Sequence, residues 1–232
     1  MQVLDHGYLK IIETWGSDER IVEAARMSTA KGFLGWGNGE KPGDEKLLRY
    51  LYENAHHTPF EMAGAIVEVQ APIFVFREWH RHRTQSYNEL SARYTPLPDL
   101  NYVPSVERML LGGGATKQAG MATGADTLTA TVAESLIAEE ERFNEAAERF
   151  YQEKLARGVP KELARTHLGV SRYSRMRASA NLRNWLTFLT LRSEKNPKAQ
   201  WEIRQYGRTL ADALRPVFPR TFSLFEEKGS AS

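Results

Sequence analysis

The alternation through Ala65, Val67 and Val69, broken at Pro72, constrains this chain more than any other single feature. A period of two over Ala63 to Ala71 gives the segment one apolar face, as in a strand lying on a core. Pro72 cannot donate within a sheet interior, and its restricted φ suits the first turn of a new helix. The following IFVFREWHRHR therefore predicts a helix on which Phe74, Glu78 and Arg81 share one face. A strand thus hands over directly to a helix whose last turn is strongly basic.

The rest of the chain mixes the same two patterns. Val3 to Ile12 reads as a first strand, and Ser17 as the N-cap of a helix over DERIVEAARMSTA, with Arg20 where a Glu would close a capping box. Residues 32–43 read as a Gly-rich loop and Glu45 to Ala55 as a helix. Residues 110–123 read as a mobile connection. Asp126 to Arg157 is expected to be helical, with Leu128, Val132, Leu136, Phe143, Ala147 and Phe150 on an apolar stripe opposite the acidic run Glu139 to Glu141. Ser171 to Ala180 reads as a strand with Arg175, Arg177 and Ser179 on one side. Asn181 to Arg192 and Ala199 to Leu214 read as two last helices, the second stopped by Pro216. With 232 residues, 41% hydrophobic, the expected organisation is one α/β domain over 1–232. Trp79, Trp185 and Trp201 are expected mostly in its core.

The segment from Arg81 to Tyr94, RHRTQSYNELSARY, concentrates the chemistry. Arg81, His82, Arg83 and Arg93 supply donors for phosphate, while Asn88, Glu89 and Ser91 supply directional groups that distinguish one ring edge from another. Phosphate together with a polar heterocycle points to a nucleotide. The pattern R-H-R-x-x-S-x-N-E-x-S-x-R-Y resembles the signature of the flavin-dependent thymidylate synthases, matched here at all nine fixed positions of fourteen. TPFE at Thr58 to Glu61, GVPKELAR at Gly158 to Arg165 and NLRNWLTFLTLR at Asn181 to Arg192 extend the resemblance over most of the chain.

The resemblance implies an α/β fold of the α+β kind, with a strongly curved, mostly antiparallel sheet and flanking helices, assembled as a homotetramer whose sites span subunits. It implies conversion of dUMP to dTMP, with methylenetetrahydrofolate as carbon donor and FAD, reduced by NADPH, as hydride source. Thr58, Arg81, His82, Arg83, Glu89, Asn181 and Arg183 would contact FAD. Glu78, Glu89, Ser91, Ala92, Arg93 and Arg165 would surround the nucleotide, with Arg93 and Arg165 on its phosphate. Arg192 would favour the ionised pyrimidine and His56 would lie near flavin and folate. Glu78 departs from the Gln of some members, Met62 follows TPFE where His is common, and Thr187 replaces an Asn.

The bland readings are weaker. His56, His57, His80 and His82 do not form a zinc set, because adjacent histidines diverge and no carboxylate or cysteine spacing completes one, so no metal is expected. Ser91 has no histidine placed as its base and reads as a hydrogen-bonding group. The chain has no cysteine, which excludes disulfides and a thiolate nucleophile, so the pyrimidine must be activated otherwise. A net charge of +2 argues against a polybasic nucleic-acid binder. No apolar run approaches a membrane span, and no signal-peptide core is apparent, so a cytoplasmic protein without membrane partners is expected. A flavin oxidoreductase without methyl transfer and a nucleic-acid-binding protein remain the competing classes. The first would oxidise NADPH without needing nucleotide and folate, and the second would be colourless.

Overall fold

The computed structural model describes residues 1–38, 42–111 and 128–228. Five antiparallel strands form one sheet in the order β1-β2-β3-β5-β4. They are β1 (Gln2–Val3), β2 (Gly7–Trp15), β3 (Gly64–Pro72), β4 (Ser86–Glu89) and β5 (Tyr173–Asn181). The expected first strand is split, because Leu4 takes a left-handed φ of 59° and turns the chain before Gly7. A register shift between Ile11 and Glu13 then leaves Ile12 unpaired against β3. Gly64 lets β3 begin close to its neighbour, since a Cβ there would strike the ring of Trp15.

The central pair β3 and β5 is in register from Gly64 opposite Asn181 to Pro72 opposite Tyr173. Its core face carries Val67, Val69, Met176 and Ala178, all buried. Against that face lie α3 (Ile73–Trp79), α7 (Leu182–Arg192) and α8 (Trp201–Leu214). Trp79 and Phe188 meet there with ring centroids 4.5 Å apart, and Trp185 donates to the carbonyl of Ala65. Trp79 and Trp185 are core as expected, whereas Trp201 is half-buried beneath Arg108. The opposite face carries Glu68, Gln70, Arg175, Arg177 and Ser179, so the predicted alternation in β5 holds.

Pro72 is the last residue of β3 and the N-cap of α3, one position before the first helical turn in which the sequence placed it. Ser17 caps α1 (Asp18–Arg26) by accepting the Arg20 N–H. The helix α2 (Glu45–Glu53) lies between α1 and α9 (Pro219–Lys228), a final helix the sequence reading did not anticipate. Two short helices, α4 (Val106–Leu110) and α6 (Lys161–Ala164), were also unread. The expected loop 110–123 begins at the last residue of α4, and its residues 112–123 lie outside the described residues.

The long helix α5 (Ala130–Ala156) starts at the Thr129 cap. Its expected apolar stripe is largely outside the core: Val132, Leu136, Phe143 and Phe150 are all exposed, Phe150 with its ring 4.8 Å from that of His167, and Ala133 and Tyr151 are its buried residues. A buried ion pair of Glu148 with Arg172, 2.8 Å, fixes the helix instead. Arg172 also bonds Asp99 at 2.9 Å, which makes this buried arginine a structural group.

Candidate active site

The basic motif is held in shape by its own backbone and by the start of β4. His82 N–H donates to the carbonyl of Trp79 and Gln85 N–H to that of His82, so the chain turns sharply at the end of α3. The Tyr87 hydroxyl on β4 returns to donate to the carbonyl of His82 at 2.7 Å, and Trp79 Nε1 donates to Gln85 at 3.0 Å. No alternating apolar pattern marks a strand in this region. Its polar residues concealed β4, an edge strand that pairs Asn88 with Arg177 and Glu89 with Met176. Arg81 and Arg83 are exposed on the turn, while His82 is buried.

Helix α7 joins two groups of expected site residues. At its N-terminus Asn181 accepts the Asn184 N–H as a cap, and Arg183 bonds Glu61 at 2.5 Å on the short 3₁₀ segment Thr58–Met62. Asn184 also reaches the carbonyl of Thr84 at 3.4 Å. The Arg81 to Arg83 turn, the Thr58 segment and the start of α7 therefore converge. The guanidinium groups gathered there make a cradle for phosphate, whereas the Leu182 and Asn184 N–H groups are already bonded to the Ala63 carbonyl and the Asn181 side chain. That donor set fits the pyrophosphate of a dinucleotide such as FAD. Arg183, with burial as the larger cause, holds the nearby His57 below its ordinary pKa.

At the C-terminus of α7, Arg192 donates from Nε to His82 Nε2 at 3.2 Å and pairs through Nη1 with Glu78 at 2.9 Å. Burial, and secondly the charge of Arg192, pushes His82 down to a pKa of about 4. The ring is therefore neutral and acts as an acceptor toward Arg192, with the Phe188 ring 4.8 Å away. Glu78, His82 and Arg192, far apart in sequence, form one cluster.

The remaining nucleotide candidates form a second cluster. Ser91 Oγ accepts the Arg93 N–H at 3.3 Å, and among the described residues no base engages it. Ala92 is buried, and Arg93 pairs with Glu162 at 3.0 Å on α6, one turn before the exposed Arg165. Glu89 lines a recess of about 330 Å³ with Asn88, Arg175 and Arg177. His56 is exposed with its ring edge against Tyr50. Among the described residues, no hydrogen bond or ion pair joins the Arg93 cluster to the Arg192 cluster. Sequence reasoning did not single out Glu61 or Glu162 as partners of these arginines. Only their nearness to TPFE and to Arg165 hinted at it.

A family profile described as thymidylate synthase complementing protein matches residues 10–220. The chain is 38% identical over 227 residues to the flavin-dependent thymidylate synthase of Wolbachia pipientis wMel, covering 97% of this chain and 76% of that one. It is 37% identical to the flavin-dependent thymidylate synthase of Thermosipho africanus, covering 97% and 92%. This chain belongs to the flavin-dependent thymidylate synthase family. A solved structure of the UMP/dUMP methylase PolB from Streptomyces cacaoi, bound with 5-Br dUMP, superposes with a TM-score of 0.83 at 31% identity, over 99% of this chain and 98% of that one. The same methylase bound with 5-Br UMP gives a TM-score of 0.81 over 98% and 97%. The mixed fold with an antiparallel sheet and flanking helices is thus a fold that this family shares with pyrimidine nucleotide methylases.

Proposed function

We infer that the protein is an FAD-dependent thymidylate synthase that methylates dUMP to dTMP reductively. Methylenetetrahydrofolate supplies the carbon and NADPH the reducing equivalents. The observation that carries this reading is the motif Arg81 to Tyr94, present at every fixed position and folded so that Arg192 returns against its histidine. When bound, FAD supplies the hydride that completes the methyl group. The protein's own task is to bind, orient and stabilise charge.

Thr58, Arg81, His82, Arg83, Glu89, Asn181 and Arg183 would hold FAD, with the cradle at the start of α7 on its pyrophosphate. Arg93 and Arg165 would clamp the dUMP phosphate, Ser91 would donate to the nucleotide beside Ala92, and Glu78 and Arg192 would face the ring. His56, on the turn ahead of Thr58, would border the folate. The lack of any cysteine fits a site in which an arginine, not a thiolate, makes the ring reactive. The separation of the Arg93 and Arg192 clusters in sequence, with no hydrogen bond or ion pair joining them among the described residues, supports a site shared by subunits of a homotetramer. A soluble cytoplasmic enzyme agrees with the absence, among the described residues, of any helix long and apolar enough to cross a membrane.

Purified protein should be yellow or take up added FAD, and should release tritium from 5-labelled dUMP only when folate and NADPH are also present. A preparation that takes up no FAD, or that oxidises NADPH at the same rate without dUMP and folate, would show the reading to be wrong.

A further inference from the structure

Arg165 stands on a turn that a single histidine anchors to the long helix. Arg165–His167 forms a 3₁₀ turn directly after α6, with Arg165 exposed at its start and His167 half-buried at its end. His167 Nε2 lies 2.8 Å from the carbonyl of Ala147 on α5, Nδ1 lies 3.2 Å from Nζ of Lys154, and the ring meets that of Phe150 edge-on at 4.8 Å. An ammonium group only donates, so Nδ1 accepts from Lys154 and Nε2 carries the proton that goes to Ala147. Lys154 is in turn held over the Phe150 ring at 4.5 Å. The imidazole is therefore engaged at both nitrogens and packed at its side.

A short piece of backbone transmits this contact to Arg165. Leu168 N–H closes the turn on the Arg165 carbonyl at 3.1 Å, and Thr166 Oγ1 donates to the carbonyl of Leu163 at 2.9 Å. On its other side α6 is tied to the basic motif by Arg93 with Glu162, 3.0 Å, and by Lys161 Nζ on the Tyr94 carbonyl, 2.8 Å. Both of these ties join exposed groups and add little rigidity, and the first uses a guanidinium that a bound phosphate would recruit. The tie through His167 is half-buried and involves no group assigned to the ligand. We propose that His167 is a positioning residue for Arg165, locking its turn onto α5 so that the guanidinium is in place before the nucleotide phosphate arrives. The proposal rests on the phosphate role given to Arg165 above and adds the device that holds it. A cation held in place loses less conformational freedom on binding, so the effect falls on affinity for dUMP.

The test is steady-state kinetics on FAD-loaded protein with dUMP varied. His167→Phe keeps a ring against Phe150 and removes both hydrogen bonds. It should raise the KM for dUMP about tenfold, the scale of one weakened hydrogen bond to a charged group, with kcat unchanged. His167→Gln carries a donor and an acceptor on adjoining atoms, able to serve Ala147 and Lys154, and should restore most of the affinity. Arg165→Ala should raise the KM by itself, and adding His167→Phe to it should have little further effect, because the histidine acts only through the arginine. A general packing role would instead lower FAD occupancy both in His167→Phe and in His167→Leu, which removes the same bonds with a smaller side chain, or would add in full to Arg165→Ala. Either result overturns the proposal, as does an unchanged KM in His167→Phe, and all three leave the thymidylate reading standing. An unchanged KM in Arg165→Ala overturns the phosphate assignment and this proposal with it.

Discussion

Arg192 has two of its nitrogens tied to protein acceptors, and this fixes where its remaining donor points before any ligand arrives. A preorganised cation contributes most where charge develops, so its effect belongs to turnover more than to affinity. Arg192→Ala should lower kcat by about 100- to 1,000-fold. Arg192→Lys should recover only part of this, because a point ammonium cannot bond Glu78, His82 and substrate as a planar fork does. Arg165→Ala, which removes the proposed phosphate clamp, should chiefly raise the KM for dUMP. Steady-state kinetics with FAD occupancy checked in each variant separates these effects, and unchanged turnover in Arg192→Ala removes the residue from the mechanism. His82 adds a pH signature. Its folded pKa of about 4 lies below the ordinary 6.5, so the unfolded chain binds more protons between those values. The contribution of the neutral ring is complete above the ordinary value and is lost as pH falls toward the folded one. Chemical denaturation at about pH 5 and about pH 7 should show a smaller acid-side decline in His82→Gln than in wild type. Equal declines would mean that the ring is not held neutral.

The elements differ in how they are fixed, and that decided which were readable. Helix α9 is tied to α1 by one carboxylate: Asp18 accepts from Arg220 N, Thr221 N and Thr221 Oγ1. Burial raises the Asp18 pKa, which marks a carboxylate kept in the core because these donors need it. Asp18→Ala leaves the buried Thr221 N–H and the part-buried Arg220 N–H without this acceptor and should cost about 1–3 kcal/mol. Hydrogen exchange should rise first in Pro219–Lys228, and faster exchange spread evenly over the chain would contradict this local role. From the sequence, Asp18 read only as a favourable acid in the first turn of α1, since its partners lie some 200 residues away. The same blindness applies at the site. Periodicity located β3, β5 and α7 to within a residue or two, because each buries one regular face. It missed β4, where Ser86, Asn88 and Glu89 are exposed and Tyr87 alone is half-buried, its hydroxyl on the carbonyl of His82. The family resemblance pointed to Glu78, His82 and Arg192, but the contacts among them come from the packing of α7 against α3 and are invisible to spacing.

On the scale of the whole molecule, a single chain leaves two surfaces unexplained. Among the described residues, the sheet face bearing Glu68, Arg175 and Arg177 has no helical layer over it, and helix α5 carries an apolar line that stays largely exposed. Leu136, Phe143 and Phe150 recur every seven residues along a helix of 27 residues, about 40 Å long, with exposures of 45%, 66% and 49%. Side chains of this size, aligned and exposed, mark a surface that another protein covers, and the heptad spacing suits a second helix lying nearly parallel to the first. In the proposed homotetramer that helix belongs to another copy of the chain. The proposed site shared between subunits would be lost together with that packing. Phe143→Glu tests this without touching the core, since the side chain is exposed in the single chain and sits outside both clusters. The variant should keep its circular dichroism spectrum, run as a smaller species in light scattering, and lose most of its dTMP formation together. A variant that remains tetrameric would move the interface off α5. One that dissociates yet keeps full activity would show that each chain holds a complete site by itself.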